Sequence, residues 1–148
     1  MASDFRDALA ELVAVNARFM VVGAHALSVH GVPRATVDLD ILIDPSPENA
    51  LRVWRAFAAF GAPLTDLGIT EADLARPNTV IQFGLPPHRI DVLTGISGVK
   101  FEEAWVNRVE SMFEGLTVPF LGRDAFVRNK RALGRKKDLA DLEYLGEA

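Results

Sequence analysis

The chain has 148 residues, a net charge of −4, 49% hydrophobic residues and 24% charged residues. This composition excludes a disordered chain, and the length predicts one domain with a hydrophobic core. The absence of cysteine excludes disulfides, thiolate metal sites and cysteine nucleophiles. Because we find no apolar stretch of membrane-spanning length and no signal-peptide pattern, we expect a cytoplasmic protein without a membrane partner.

The predicted elements begin, in chain order, with a helix that Ser3 caps and that carries apolar residues at helical spacing. Strands are predicted over residues 19–22, 36–43, 79–83 and 89–93, and a hairpin over residues 111–120 around Glu114-Gly115. Further helices are predicted over residues 24–30, 48–60, 101–109, 124–133 and 138–145, with a short one capped by Thr70. The intermixed helices and strands predict an α/β or α+β core. We expect a single domain, with a sheet core over residues 1–121 and basic C-terminal helices over residues 122–148.

Two of the predicted helices have apolar stripes that we expect to face the core. In the helix over residues 48–60 the stripe consists of Leu51, Trp54, Phe57 and Ala58. In the last helix it consists of Leu139, Leu142 and Leu145.

Two aspartates, Asp38 and Asp40, interrupt the apolar run of the second predicted strand. Side chains alternate along a strand, so both carboxylates point to the same face. Two carboxylates this close repel each other unless a cation lies between them, and Mg²⁺ prefers such oxygen ligands. The alternative is an exposed strand face on which solvent separates the two acids.

A third acid, Asp91, lies inside the apolar strand over residues 89–93. If this strand lies beside the Asp38/Asp40 strand, three carboxylates converge and can hold two Mg²⁺ ions. Asp91 can then also act as a general base toward a hydroxyl group. An ion pair between Asp91 and Arg89 is an equally good interpretation of the same residues.

Candidate phosphate-binding residues flank the first acidic pair. Gly23-Ala24 forms a strand-to-helix turn, where small residues let a phosphate approach the backbone N–H groups. Arg34 can clamp a phosphate with two hydrogen bonds, and Thr36 can add a hydroxyl. Glycine also occurs in such turns for packing alone.

The segment from Arg123 to Lys137 contains seven basic residues and one acid. Such a local positive charge on an acidic protein can bind phosphates, although a solvated helix face is the simpler interpretation. Within it, Lys130 and Lys137 are candidate nucleotide-binding residues. The alternatives are that Lys130 extends along an apolar surface to solvent and that Lys137 is only a charge at a helix end.

The run Val22-Gly-Ala-His-Ala-Leu-Ser-Val-His-Gly-Val-Pro-Arg-Ala-Thr-Val-Asp-Leu-Asp-Ile resembles the signature of the DNA polymerase β-like nucleotidyltransferase superfamily. Within it, the chain looks like the minimal bacterial nucleotidyltransferases grouped with the AbiEii-type toxins. Residues 128–142 also resemble the C-terminal motif of those proteins. The resemblance implies a mixed sheet flanked by helices, with Asp38, Asp40 and Asp91 binding metal and Gly23 under the triphosphate. Ala24 is a departure, because that family usually has Gly-Gly or Gly-Ser at this turn.

The resemblance implies a Mg²⁺-dependent transfer of a nucleoside monophosphate from a nucleoside triphosphate to a hydroxyl group. The acceptor expected is RNA such as transfer RNA, another protein or a small molecule. The subgroup implies a toxin with a cognate antitoxin protein as partner. The alternative is a non-catalytic nucleotide- or RNA-binding module, or an antitoxin-like partner, with the same fold.

Overall fold

The computed structural model describes residues 4–33 and 38–147; residues 1–3, 34–37 and 148 lie outside the described part. The strands are β1 (Phe19–Val22), β2 (Leu39–Ile43), β3 (Val80–Phe83), β4 (Ile90–Leu93), β5 (Val109–Phe113) and β6 (Leu116–Phe120). The helices are α1 (Asp4–Ala14), α2 (Gly23–Val29), α3 (Pro47–Phe60), α4 (Glu71–Leu74), α5 (Phe101–Val106), α6 (Arg123–Leu133) and α7 (Lys136–Leu145).

The strands form a six-stranded sheet in the order β3-β4-β2-β1-β6-β5. β1 pairs antiparallel with β2 and parallel with β6, and β2 pairs parallel with β4. The outer pairs, β3 with β4 and β5 with β6, are antiparallel. The predicted fold class is therefore confirmed: it is an α/β fold with a mixed sheet flanked by helices.

The two faces of the sheet carry different side chains at β2. Leu39 and Ile41 are fully buried on one face, which α3 covers with the Phe57 ring 5.1 Å from that of Phe83. Alternation turns Asp40 to the opposite face. Leu42, two residues further along on the Asp40 face, is buried, so Asp40 lies at the edge of the apolar packing on that face.

Local signals in the sequence place several element ends correctly. The Ser46 side chain accepts a hydrogen bond from Asn49 N and caps α3, which ends at Gly61 in the left-handed conformation. Thr70 and Asp73 form the capping box of α4. The β5–β6 hairpin turns at Glu114-Gly115, where φ is 47° and 83°, as a tight two-residue turn requires.

The predicted stripe of α3 is confirmed at Phe57 and in part at Trp54, which packs against the core, and it is wrong at Ala58. Leu51 and Trp54 are half-buried and Ala58 is exposed. The indole of Trp54 lies at the edge of the core because its Nε1 donates a hydrogen bond to the Ile69 carbonyl at 3.1 Å. The buried residues of α3 are Asn49, Ala50, Val53, Ala56 and Phe57.

Three further predictions differ from the structure. Leu139 is 48% exposed, and the buried side of α7 carries Asp138 instead. The helix predicted to reach residue 109 ends at Val106, because the chain there enters β5. Asp38 lies immediately before β2 and not within it. The predicted cap Ser3 lies outside the described residues.

None of the helices in the described part of the chain is both long enough and apolar enough to span a membrane.

Candidate active site

The pairing of three strands brings two of the predicted acids together. In the parallel pair β2–β4, Asp40 lies directly opposite Asp91. In the antiparallel pair β1–β2, Asp40 lies opposite Val22, the last residue of β1. Residues that face each other in a sheet have side chains on the same face. The predicted condition that the two acidic strands be neighbours is therefore met.

Gly23 follows β1 at this point. Its φ is 68°, a backbone conformation that residues other than glycine rarely adopt. A Cβ atom added to Gly23 would collide with Asp40 Oδ2. The backbone of the β1–α2 turn therefore lies directly against the Asp40 carboxylate. Ala24, half-buried, is the next residue of α2.

The Asp40 carboxyl group has an unusual pKa. Burial raises the pKa of Asp40 to about 7, and the charge of Asp91, a shared hydrogen bond with Asp91 and the charge of Asp38 act in the same direction. The charge of Lys130 opposes this shift. Near neutral pH, full ionisation of this group therefore requires additional positive charge beside it.

Arg89 provides positive charge to the other two acids. Its Nε and Nη2 atoms donate hydrogen bonds to the two carboxylate oxygens of Asp91 at 2.8 and 3.2 Å. Its Nη2 atom lies 3.5 Å from Asp38 Oδ2, and its backbone N–H donates to Asp38 Oδ1 at 3.0 Å. The ion pair that the sequence left open for Asp91 is thus present, in the same site as the Asp40–Asp91 pair.

Lys130 lies on the Asp40 side of the sheet but is held by acids of α7. Its Nζ atom is 3.2 Å from Asp138 Oδ1 and 3.1 Å from Asp141 Oδ2, and its side chain is 11% exposed. Arg135 donates a 2.6 Å hydrogen bond to the other oxygen of Asp138. Lys130 therefore does not extend to solvent; it is anchored between two carboxylates, within electrostatic reach of Asp40.

The basic segment is less positive in the fold than in the sequence. Arg123 pairs with Glu147, Arg128 with Glu103, and Lys130 and Arg135 with acids of α7. Lys137 is exposed at the start of α7. Asp138 and Asp141 were not among the predicted site residues, although their i, i+3 spacing on a helix could have indicated a common partner.

Arg34 and Thr36, the predicted phosphate-binding residues before β2, lie outside the described residues.

The donor set at Asp38, Asp40 and Asp91 suits a hard divalent cation, although residues 4–33 and 38–147 form no preassembled group of three or more metal-ligating side chains. The pKa of Asp40 is raised by burial and by the charges of Asp91 and Asp38 beside it. A cation between them would remove the repulsion that causes part of this shift. The residues therefore fit Mg²⁺, with Arg89 in contact with two of its candidate ligands.

Comparison with known proteins indicates the fold. No protein-family model matches the chain, and no curated protein matches it. Among solved structures, the protein TM1012 of Thermotoga maritima, itself provisionally assigned as a nucleotidyltransferase, matches with a TM-score of 0.63 and 17% sequence identity. The match covers 97% of this chain and 91% of that one. At this identity the match speaks for the fold alone: the chain has a nucleotidyltransferase-like fold.

Proposed function

We propose that this protein is a Mg²⁺-dependent nucleotidyltransferase that moves a nucleoside monophosphate from a nucleoside triphosphate to a hydroxyl acceptor. The observation that carries the proposal is the β2–β4 register, which sets Asp40 beside Asp91 with the glycine turn against them. Two adjacent carboxyl groups, one with a raised pKa, have no evident structural use. The nucleotidyltransferase-like fold is consistent with this chemistry.

In the proposed site Asp38, Asp40 and Asp91 would hold the metal, as two ions when nucleotide is present. When bound, Mg²⁺ supplies charge neutralisation of the triphosphate and lowers the pKa of a coordinated hydroxyl. The chain's own contribution is to hold three carboxylates at one end of the sheet, with the backbone of Gly23 directly against Asp40. Lys130 adds a positive charge within reach of the site.

The reaction would form a bond between the acceptor oxygen and the α-phosphorus and break the bond between the α-phosphorus and its bridging oxygen to the β-phosphate. Pyrophosphate leaves, and the acceptor proton passes to a carboxylate, for which Asp91 is the candidate. Positioning and charge neutralisation supply most of the acceleration in such transfers. The turn at Gly23-Ala24, together with Arg34, Thr36 and Lys137, would bind the phosphates. Lys130, which Asp138 and Asp141 hold, would act on them through its charge.

The proposed acceptors are an RNA such as transfer RNA, a protein or a small hydroxyl compound, and the proposed biological role is that of a toxin with an antitoxin partner. The acidic overall charge and the internal ion pairs of α6 and α7 reduce the basic surface available to a long RNA. An acceptor that inserts only its end into the site fits this surface better than one that lies along it.

The test is a transfer assay on the full chain with Mg²⁺, each labelled ribonucleoside triphosphate in turn, and total RNA and protein as acceptors. Asp40→Asn and Asp91→Asn remove the candidate ligands with little change in volume. Asp66→Asn, at an exposed position, is the matched control. Label transfer by the wild type and by Asp66→Asn, but not by the other two variants, is the expected result. No transfer and no Mg²⁺-dependent nucleotide binding by calorimetry would overturn the proposal.

A second candidate function, a non-catalytic binding module or antitoxin-like partner, is favoured by one observation. Arg89 neutralises Asp91 and Asp38 within the protein, so these acids have a counter-charge without any metal. In that case Asp40→Asn would leave partner capture unchanged, and no nucleotide would protect the chain against heat. Loss of nucleotide-dependent stabilisation in Asp40→Asn would exclude this alternative.

A further inference from the structure

Arg89 contacts every carboxylate oxygen of Asp38 and Asp91. The side-chain contacts are 2.8 Å from Nε to Asp91 Oδ1, 3.2 Å from Nη2 to Asp91 Oδ2 and 3.5 Å from Nη2 to Asp38 Oδ2. The fourth contact, from the Arg89 backbone N–H to Asp38 Oδ1 at 3.0 Å, is independent of the side chain. Three of the four contacts can therefore be lost without moving the main chain.

A divalent cation in the same place would need some of the same oxygens. Mg²⁺ binds carboxylate oxygens at about 2.1 Å and keeps close to octahedral geometry. A guanidinium group hydrogen-bonded to those oxygens occupies one lone-pair site on each of them, and its positive charge repels the ion. The Arg89 side chain is 30% exposed, so it has solvent to move into.

We propose that Arg89 is the internal counter-cation of the Asp38/Asp40/Asp91 cluster, and that a divalent metal ion binds by displacing its guanidinium group. This inference rests on the metal site of the proposed function and adds a positioning residue to it. Without metal, Arg89 holds two of the three carboxylates in place against their mutual repulsion. The same contacts lower the affinity of the site for metal, because they must be broken first.

The experiment is a calorimetric titration of the full chain with Mn²⁺, which takes the same oxygen ligands as Mg²⁺. Arg89→Gln removes the charge and keeps the backbone N–H bond to Asp38. Because the charged hydrogen bonds of Arg89 no longer have to be broken, we expect Mn²⁺ to bind Arg89→Gln at least about tenfold more tightly than the wild type. Arg89→Lys keeps the charge but loses the two-pronged contact, and its affinity should fall between the two.

The matched control is Arg18→Gln at the other end of β2. Arg18 bonds Asp44 at 2.9 Å, a contact like that of Arg89 with Asp91, but it lies away from the cluster. Arg18→Gln should leave the Mn²⁺ affinity of the chain unchanged. Asp40→Asn should abolish the binding and thereby assign it to the cluster.

Thermal unfolding gives a second readout that does not depend on catalysis. In EDTA, Arg89→Gln should unfold at a lower temperature than the wild type, because its carboxylates have lost their counter-charge. Saturating Mn²⁺ should remove most of that difference. A destabilised variant that Mn²⁺ does not restore would show Arg89 to be a structural residue only and would overturn the proposal.

The failures of the two proposals differ. If Mn²⁺ binding requires Asp40 but is equally strong or weaker in Arg89→Gln than in the wild type, the displacement of Arg89 by the metal ion is overturned. The metal site itself then stands. If Arg89→Gln does not fold, equal or weaker binding by Arg89→Lys has the same meaning. If neither the wild type nor any variant binds Mn²⁺ in a way that depends on Asp40, both the displacement of Arg89 and the metal site are overturned.

Discussion

The two ends of β2 each place aspartate beside arginine, but the balance of buried charge differs. After the strand, Asp44 accepts hydrogen bonds from Arg18 at 2.9 Å and from Ser46 N at 3.1 Å. The second acid on Arg18, Glu102, has a side chain that is 71% exposed and is therefore solvated. One buried acid is matched there by one arginine, which is the arrangement expected of a structural ion pair.

At the start of the strand, Arg89 contacts two of three neighbouring carboxylates, those of Asp38 and Asp91, and the pKa of the third, Asp40, is raised. The negative charge exceeds the positive charge beside it, so repulsion between the carboxylates lowers the free energy of unfolding. The contrast shows that the same residue types have different roles according to charge balance. A surplus of buried charge of one sign indicates a site for a ligand of the opposite sign.

Replacing Asp40 should have the largest effect on this protein. For Asp40→Asn we expect transfer activity to fall on the order of 10²–10³-fold or more, while the metal-free protein becomes more stable at pH 8. The raised pKa of Asp40 means that the folded state keeps a proton which the unfolded state loses, so stability falls as pH rises from about 4 to about 7. Urea unfolding in EDTA at pH 5 and pH 8 measures this. A variant less stable than the wild type at pH 8 would contradict the surplus-charge interpretation.

A Cβ atom at Gly23 tests whether the backbone must approach the acids. Gly23→Ala adds both left-handed strain and a collision with Asp40 Oδ2, and we expect a loss of roughly 2–4 kcal/mol in the free energy of unfolding. Gly61→Ala is the matched control, because its φ is 99° and nothing lies within 4 Å of the added atom. It should cost only about 1 kcal/mol. Equal losses in the two variants would show that Asp40 moves aside freely.

Asp44→Asn examines the balanced end of β2. We expect it to lower the free energy of unfolding by about 1–3 kcal/mol, because Arg18 and Ser46 lose their charged acceptor. Metal binding and transfer per folded molecule should not change. Chemical denaturation and a Mn²⁺ titration of the same sample measure both quantities. A weakened metal affinity would mean that the two ends of β2 are coupled.

Between α6 and α7, the pKa of Asp138 is shifted in the opposite direction to that of Asp40, so its effect on stability has the opposite pH dependence. Burial alone would raise the pKa of Asp138, but hydrogen bonds from Arg135 and Lys130 outweigh it and lower the pKa to about 2. Its stabilising contribution is therefore present above about pH 4 and is lost as pH falls toward 2. Allowing for solvent around Arg135, we expect roughly 1–2 kcal/mol.

Asp138→Asn should remove this acid dependence, measured by urea unfolding between pH 5 and pH 2. Asp73→Asn is a useful control, because the pKa of Asp73 is also lowered, chiefly by the backbone hydrogen bond from Thr70, but on an exposed helix start. It should change the pH profile much less. An unchanged profile in Asp138→Asn would show that the cluster does not contribute to acid stability.

Much of the fold could be predicted from short-range pattern. The strand before Gly23, the cap at Ser46, the stop at Gly61 and the turn at Glu114-Gly115 depend on residues within a few positions of each other. The stripes of α3 and α7 were less predictable, because a polar partner elsewhere decides which side turns inward. Trp54 reaches the Ile69 carbonyl, and Asp138 is drawn inward by basic residues.

For the candidate site, the acids themselves were visible in the sequence as charges within apolar runs. Their environment was not. An ion pair with Arg89 was one of two interpretations of Asp91. The contact of Arg89 with Asp38 was not predicted, because it depends on the path of the chain between β3 and β4. Lys130 was a candidate for phosphate binding, and its two carboxylate partners come from the next helix.

The local conformations and the residue types of the site follow from short stretches of sequence, because alternation, capping and turn chemistry act between near neighbours in the chain. The parallel pairing of β4 with β2, which places Asp91 opposite Asp40, depends on the folded chain as a whole. The charge balance at each end of β2 depends on it as well. Strand order and ion-pair partners join residues far apart in the chain, and the free energy that selects them comes from the packing of the whole sheet and its helices.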